Sequence, residues 1–194
     1  MSIETERLIL RNYRIEDLND YWEYVTQPNV GPRCGWQPYT DIEAAKERLL
    51  LECAKPLQFA ITLKDTGKVI GSIEIMDAKR EEINDKVKEI GCLLHEGYWG
   101  KGYMTEAFRA IVKYCFDNLG VDKVIAAYFE HNIGSAKMQI KSGLTEYKKI
   151  EKYIKWYLTG ELCDIVVTKI EREEYKENPI YKNLNICVRD DRGR

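Results

Sequence analysis

The sequence predicts an α+β fold, a mixed and mostly antiparallel sheet flanked by helices. Two observations predict it. Strand-like and helix-like patterns follow one another in the order β-α-α-β-β-β-α-β-α-β-β, with three consecutive strand patterns joined by short links. A long helical pattern then connects the fourth and fifth strands, which requires those two to run parallel. At 194 residues with 44% hydrophobic content, the chain has enough apolar surface to bury a core without disulfide or metal staples.

Ile3 to Tyr13 sets Ile3, Leu8 and Leu10 among charged residues and reads as one opening strand. Ile15, Leu18, Trp22 and Val25 recur on one helical face until Pro28 stops the run. Asn29 to Tyr39 is an irregular loop with Gly and Pro breakers around Cys34 and Trp36. Thr40-Asp41-Ile42-Glu43 reads as a capping box opening a helix with Ile42, Ala45, Leu49 and Cys53 on one side. Leu57–Leu63 and Lys68–Met76 are strands joined through Asp65-Thr66-Gly67, where Gly67 can take positive φ. Ala78 to Lys86 is a polar connector whose Arg80-Glu81-Glu82 run is solvated, and Val87 to Leu94 is the next strand. Met104, Phe108, Ile111 and Cys115, widened by Ala107 and Tyr114, mark the longest helix. Val121 to Phe129 is the parallel strand, and Ile133 to Ser142 a short helix closed by Gly143. Two last strands pair across Thr159-Gly160, with Tyr153, Trp156 and Tyr157 read as packing residues, and Glu171 to Lys176 adds a helical turn. The expected organisation is one domain over residues 1–175, followed by a peripheral polar tail over 176–194.

Charge and composition exclude several function classes. Thirty Lys and Arg against 32 Asp and Glu leave a formal charge of -2, unlike domains that neutralise phosphate backbones, so no nucleic-acid partner is expected. Cys34, Cys53, Cys92, Cys115, Cys163 and Cys187 include no C-x-x-C pair and read as reduced thiols. With only His95 and His131, and neither spaced as a ligand, no metal is expected. No apolar run is long enough to span a bilayer and the opening MSIETERLIL lacks a cleavable apolar stretch, so the expectation is a cytoplasmic protein without a membrane partner.

The segment from Glu89 to Ala107 carries the chemistry. A strand runs into a Gly-spaced turn, Gly97-Tyr98-Trp99-Gly100-Lys101-Gly102, that opens the long helix. Backbone N–H groups converging on a helix N-terminus favour an anion, and glycines let a pyrophosphate approach; tight packing alone is the other use of such a turn. Lys101 could add charge. A P-loop would need Ser or Thr after the Lys, where Gly102 stands, and a dinucleotide fingerprint would need Gly where Thr105 stands.

Tyr98-Trp99-Gly100-Lys101-Gly102-Tyr103-Met104-Thr105-Glu106-Ala107 resembles the acetyl-coenzyme A motif of the GNAT N-acetyltransferases, in the RimJ/RimL-like branch whose members include ribosomal-protein N-terminal acetyltransferases. Thr5-Glu6-Arg7-Leu8-Ile9-Leu10-Arg11 is similar to that branch's opening strand. Asn132, Ser135, Lys141 and Gly143 match its later helix, and Arg172-Glu173-Glu174-Tyr175 its closing turn. Three positions depart: Gly97 stands where Gln or Arg is usual, Leu144 where Phe is usual, and Gln139 where many members place a catalytic Tyr.

The resemblance implies the GNAT fold, acetyl-coenzyme A as co-substrate held between the fourth and fifth strands, and direct transfer of acetyl to a primary amine. It implies cofactor contacts from Cys92, Leu93 and Leu94 on the strand, Tyr98 to Thr105 at the turn, and Asn132, Ser135 and Lys141 beyond. Glu89 is then the candidate base, with a solvated or salt-bridged strand Glu as the alternative. Ser135 is the candidate donor to the departing thiolate, or a helix cap; Asn132 can serve as cap and as pantetheine contact. Arg33, Cys34 and Trp36 would meet the acceptor, with a core-anchoring role the alternative for Trp36. His95 reads as a solvent-facing loop residue. The acceptor is a protein N-terminus or a small-molecule amine, and sheet edges could support a homodimer. A non-catalytic acyl-coenzyme A binding or sensor module is the competing reading, prompted by Gln139.

Overall fold

The structure, a computed structural model, describes residues 1–78, 86–155 and 159–189. Its strands are β1 (Ser2–Glu4), β2 (Leu8–Arg11), β3 (Gln58–Leu63), β4 (Val69–Asp77), β5 (Val87–Leu94), β6 (Lys123–Phe129), β7 (Thr145–Lys155), β8 (Leu162–Glu171) and β9 (Cys187–Arg189). The helices are α1 (Leu18–Val25), α2 (Ile42–Cys53), α3 (Tyr103–Asp117), α4 (Ile133–Lys141), α5 (Arg172–Glu177) and α6 (Pro179–Lys182). The strands form one mixed sheet in the order β7-β8-β6-β5-β4-β3-β2-β1-β9, so the predicted class stands. β5 and β6 pair in parallel from Val87↔Lys123 to Ile90↔Ala126, as the helix crossover required.

The expected single opening strand is instead a hairpin, with Ser2↔Arg11 and Glu4↔Ile9 in register. The Thr5 backbone N–H donates to Leu8 O at 3.0 Å, closing a turn where sequence alternation alone suggested continuity. The first helix starts later than predicted because residues 15–17 form a 3₁₀ turn, in which Asp17 accepts from the Arg14 N–H at 2.8 Å and from the Arg11 guanidinium. Its buried residues are Tyr21, Tyr24 and Val25, and Ile15 is exposed. Tyrosine rings can take this inner face because their hydroxyls find partners: Tyr13 and Tyr24 meet at 2.5 Å, and Tyr13 donates to Gly71 O at 3.2 Å. The cap of α2 is Asp41, accepting from Glu43 N at 3.0 Å, rather than a Thr40 capping box, and Ile42 is exposed while Ala45 and Leu49 are buried.

The chain divides into two compact units. The first comprises Met1–Glu74, Cys92–Ala107 and the chain from Ile186; its core joins Tyr13, Tyr21, Tyr24, Val25, Ala45, Leu49, Ala60 and Val69. The second comprises Ile75–Gly91 and Phe108–Asn185. There Phe108, Ile111 and Cys115 of α3 are fully buried, and a second cluster gathers Val87, Ile125, Phe129, Ile165 and Val167 on one sheet face.

The segment after Glu177 is more structured than a peripheral tail. Asn178 caps α6 by accepting from Ile180 N at 3.0 Å, the Tyr181 hydroxyl is buried and donates to Ser142 O, and β9 extends the sheet by pairing with β1. The Arg80-Glu81-Glu82 run, Trp156 and Tyr157 lie outside the described residues. Among the described residues no helix is long and apolar enough to cross a membrane, and no group of His, Cys, Asp and Glu is arranged to hold a metal ion.

Candidate active site

In the first unit, the site grows from the end of β5. His95 N donates to Ile70 O at 2.9 Å, keeping the strand's exit against β4. Gly71 makes this approach feasible: a Cβ there would sit 2.4 Å from Leu93 O, so no other residue fits without moving backbone. The Trp99 indole N–H then donates to Leu94 O at 2.7 Å, folding the turn back on the strand. His95, which the sequence suggested faces solvent, is instead a cap: its Nδ1 accepts from Gly97 N at 2.9 Å, and Gln27 lies 2.9 Å from its Nε2. A Cβ on Gly97 would meet that imidazole at 3.2 Å, so a side chain there would require the ring to shift by a few tenths of an ångström.

Gly100 and Gly102 take φ of 74° and 82°, a region other residues enter at a cost, and the chain turns through them into α3. Among the described residues, the successive backbone N–H groups of Gly100 through Thr105 donate to no protein acceptor; pairing resumes at Glu106 N, which donates to Gly102 O at 3.0 Å. These are the orphan donors of a helix start, extended by the turn, and they provide what a pyrophosphate needs. A Cβ at Gly100 would meet nothing within 4 Å, so the backbone there is open to a ligand. Lys101 does not extend its ammonium freely; it donates to Gly97 O at 2.7 Å, above the Tyr98 ring.

The turn is held from outside by Thr5, Arg7 and Glu106, which lie in two separate motif segments of the sequence. Glu106 Oε1 accepts from the Thr5 hydroxyl at 2.6 Å and the Arg7 N–H at 2.8 Å, and its Oε2 from Arg7 Nε at 2.6 Å. Arg7 also donates to Lys101 O at 3.1 Å and lies 4.3 Å over the Tyr103 ring. Burial by itself would raise the Glu106 carboxyl, but the Thr5 and Arg7 hydrogen bonds outweigh it and hold it below the usual carboxylate value. The available signal was co-occurrence: an acid in the first turn of α3 and an Arg in the opening motif.

Of the three acceptor candidates, two reach this turn. The Arg33 guanidinium stands 5.3 Å over the Trp99 ring and the Cys34 thiol donates to Cys92 O at 3.9 Å, both from the turn Pro32–Cys34. Trp36 packs 5.7 Å from Tyr39 against the core, with its ring where a Gly31 Cβ would be, and so takes the anchoring role. Desolvation pushes the Cys92 thiol up to about 12.

The second unit holds Glu89, Asn132, Ser135 and Lys141. Glu89 is in register with Ile125 and 4% exposed, which removes the solvated alternative. By strand alternation it belongs to the face of Val87 and Ile125. α4 lies on the opposite face, since Gln139 bonds the side chain of Thr168, whose partner is Ala126. Asn132 caps α4, its Oδ1 accepting from Ser135 N at 3.2 Å. The Ser135 Oγ accepts from Gln139 Nε2 at 3.0 Å. Lys141 ends the helix with an exposed side chain, its carbonyl accepting from Arg109.

A helix start with a run of unpartnered backbone N–H donors is in keeping with what comparison with known proteins finds. A family model for the acetyltransferase (GNAT) domain matches residues 7–145. The chain belongs to the GNAT acetyltransferase family. It is 28% identical over 185 residues to the uncharacterized N-acetyltransferase p20 of Bacillus licheniformis, covering 90% of this chain and 98% of that protein. Among solved structures, a GNAT-family acetyltransferase from Bacillus anthracis superposes with a TM-score of 0.79 at 24% identity, over 89% of this chain and 99% of that one. The ribosomal-protein-S5-alanine acetyltransferase of Vibrio fischeri gives a TM-score of 0.69 at 24% identity, over 88% and 96% of the two chains. The acetyltransferase is therefore an enzyme built on the GNAT fold, a family that uses acetyl-coenzyme A as co-substrate.

Proposed function

We propose that this GNAT acetyltransferase binds the pyrophosphate of acetyl-coenzyme A on the N–H groups of Gly100 to Thr105 and transfers acetyl directly to a primary amine. The unpartnered run of N–H donors carries the reading, since α3 begins where two positive-φ glycines expose backbone to a ligand. The motif around Trp99 to Ala107 and the opening Thr5 to Arg11 support placement in the RimJ/RimL-like branch.

The amine must be neutral to attack. An α-amine of pKa about 8 is roughly a tenth neutral at pH 7, a Lys amine of about 10.4 far less, which favours a proton acceptor at the site. Glu89 takes that role, directly or through a water. Its carboxylate and the α4 side chains stand on opposite faces of the same sheet, and β5–β6 pairing stops at Ile90↔Ala126. Amine and thioester can meet where pairing stops, approached from one face by Glu89 and from the other by Ser135. The thioester oxygen gains charge in the tetrahedral intermediate and is met by the strand N–H groups of Cys92 and Leu94, which alternate with the β4-facing N–H groups of Leu93 and His95. As the C–S bond breaks, its electron pair settles on sulfur, Ser135 donates a hydrogen bond to it, and the proton that finally resides there derives from the attacking amine. The acceptor class is a protein N-terminal α-amine or a small-molecule amine.

Calorimetric titration with acetyl-coenzyme A, with ATP and NAD as controls, tests the reading. Selective binding with a dissociation constant of about 1–100 μM is expected, followed by thiol release when an amine panel is supplied. Equal or absent binding of all three ligands would make the turn a packing feature and end the assignment.

A further inference from the structure

The Ser135 hydroxyl is part of a hydrogen-bond chain whose direction can be worked out. Gln139 is buried, 2% exposed, and its Nε2 faces two acceptors, Ala127 O at 3.3 Å and Ser135 Oγ at 3.0 Å. Its Oε1 lies 2.6 Å from Thr168 Oγ1, which is fully buried. A carbonyl oxygen can only accept, so Ala127 O fixes which end of the amide is nitrogen. The second N–H of that nitrogen then points at Ser135, and Thr168 donates to the oxygen. Ala127 is also the first β6 residue beyond the last β5–β6 pair, so the chain is anchored where the sheet opens.

Ser135 therefore receives a proton donor on its oxygen, and among the described residues its own O–H donates to no protein acceptor. A serine one turn into a helix ordinarily turns its O–H back toward a carbonyl of the preceding turn. Here the amide occupies one lone pair and biases the proton outward.

We propose that Gln139 is a positioning residue that sets the Ser135 hydroxyl as a donor toward the coenzyme sulfur, taking Ser135 as the sulfur's donor as in the proposed function above. Gln139 then does not leave the site without a donor where many family members place Tyr; it transfers the donor role to a residue one helical turn earlier. No bond is made or broken at Gln139, and its effect is carried entirely by Ser135.

The test reads the sulfur without needing the acceptor amine. A hydrogen bond to sulfur favours thiolate over thiol, so reduced coenzyme A should bind about tenfold more tightly once its thiol, of pKa about 8.5, has ionised. Calorimetry is run across that titration on wild type, Ser135→Ala, Gln139→Met and the double variant, with desulfo-coenzyme A as the sulfur-free control. The expected result is that Ser135→Ala and Gln139→Met each abolish the thiolate preference, that the double variant loses nothing more, and that desulfo-coenzyme A binds all four alike. A thiolate preference that survives Gln139→Met, or a loss that adds to that of Ser135→Ala, overturns the positioning role. If Gln139→Met does not fold, Gln139→Glu replaces it, keeping the bond from Thr168 while turning Ser135 into a donor to the carboxylate; the preference must again vanish. A wild type that binds coenzyme A with no thiolate preference overturns the inference alone, whereas one that binds none overturns the cofactor reading together with it.

Discussion

Glu106→Gln tests the clamp that holds the anion-binding turn. The carboxylate accepts three hydrogen bonds, and the amide can reproduce those from Thr5 and the Arg7 N–H while presenting an NH₂ to Arg7 Nε. A lost hydrogen bond between charged groups costs about 1.5–3 kcal/mol when the partners stay buried. The Arg7 side chain is 41% exposed and can turn to water, so the expected loss is about 1–2 kcal/mol. For a chain of this size that is a fall of about 2–8 °C in Tm. The carboxyl of the folded protein titrates below its unfolded value of about 4.3, so its stabilisation is complete well above that value and disappears as pH falls through the folded pKa. Denaturant unfolding of wild type and variant should thus differ by the full amount at neutral pH and converge in acid. Because Arg7 also holds Lys101 O, acetyl-coenzyme A should bind the variant about tenfold more weakly at neutral pH. Equal stability at neutral pH, or a gap that does not begin to narrow as pH falls below the unfolded value of about 4.3, would refute the clamp.

Three more substitutions probe the glycine turn and the hydrogen bonds of Gln139. Gly102→Glu places a carboxylate at the proposed pyrophosphate site and should weaken acetyl-coenzyme A by more than about a hundredfold in calorimetry, whereas Gly102→Ala, which carries only the strain of φ 82°, should lose about 1–2 kcal/mol of stability and keep most of the affinity. Thr168→Val removes the donor to Gln139 Oε1 in a fully buried position, and chemical denaturation should show a loss of about 1–3 kcal/mol; an unchanged midpoint would mean the Gln139 oxygen finds another donor.

The long elements were legible because their patterns are carried by many residues. Val87 to Leu94 and the burial of Phe108, Ile111 and Cys115 came directly from periodicity, and Gly67 and Gly143 do take the positive φ that their turns demanded. Short elements were not. Period-two alternation passes straight through Thr5 to Arg7, and the first strand ends there because the Thr5 N–H turns back onto Leu8 O and the Arg7 N–H is taken by Glu106, 99 residues away from Arg7. The helix face through Tyr21 and Tyr24 was missed because tyrosine counts as half-polar until its hydroxyl has a partner, and the partners Tyr13 and Gly71 lie on other elements. β9 is three residues long and exists because β1 offers it an edge. At the site, the glycine turn could be read locally because its donors belong to consecutive residues. The orientation of Ser135 could not, since Thr168 and Ala127 reach Gln139 from two different strands.

The same hydrogen bonds bear on how acetyl would travel. A covalent acyl-enzyme needs a nucleophile that is ionised or has a base beside it. Cys92 lies beside the turn, but with its thiol raised to about 12 by desolvation its thiolate fraction at neutral pH is roughly one in 10⁵, too small to make it a competent carrier. Ser135 has an amide nitrogen, itself a donor, on its oxygen where a serine nucleophile would have a base; the amide stabilises the hydroxyl as a donor and accepts no proton from it. Both kinds of side chain are thus biased against holding acetyl, and the bias falls on the serine through Gln139. Direct attack by the amine on the thioester is the route that these environments leave least hindered, with the enzyme supplying proton transfer and hydrogen bonds while the acetyl group moves once.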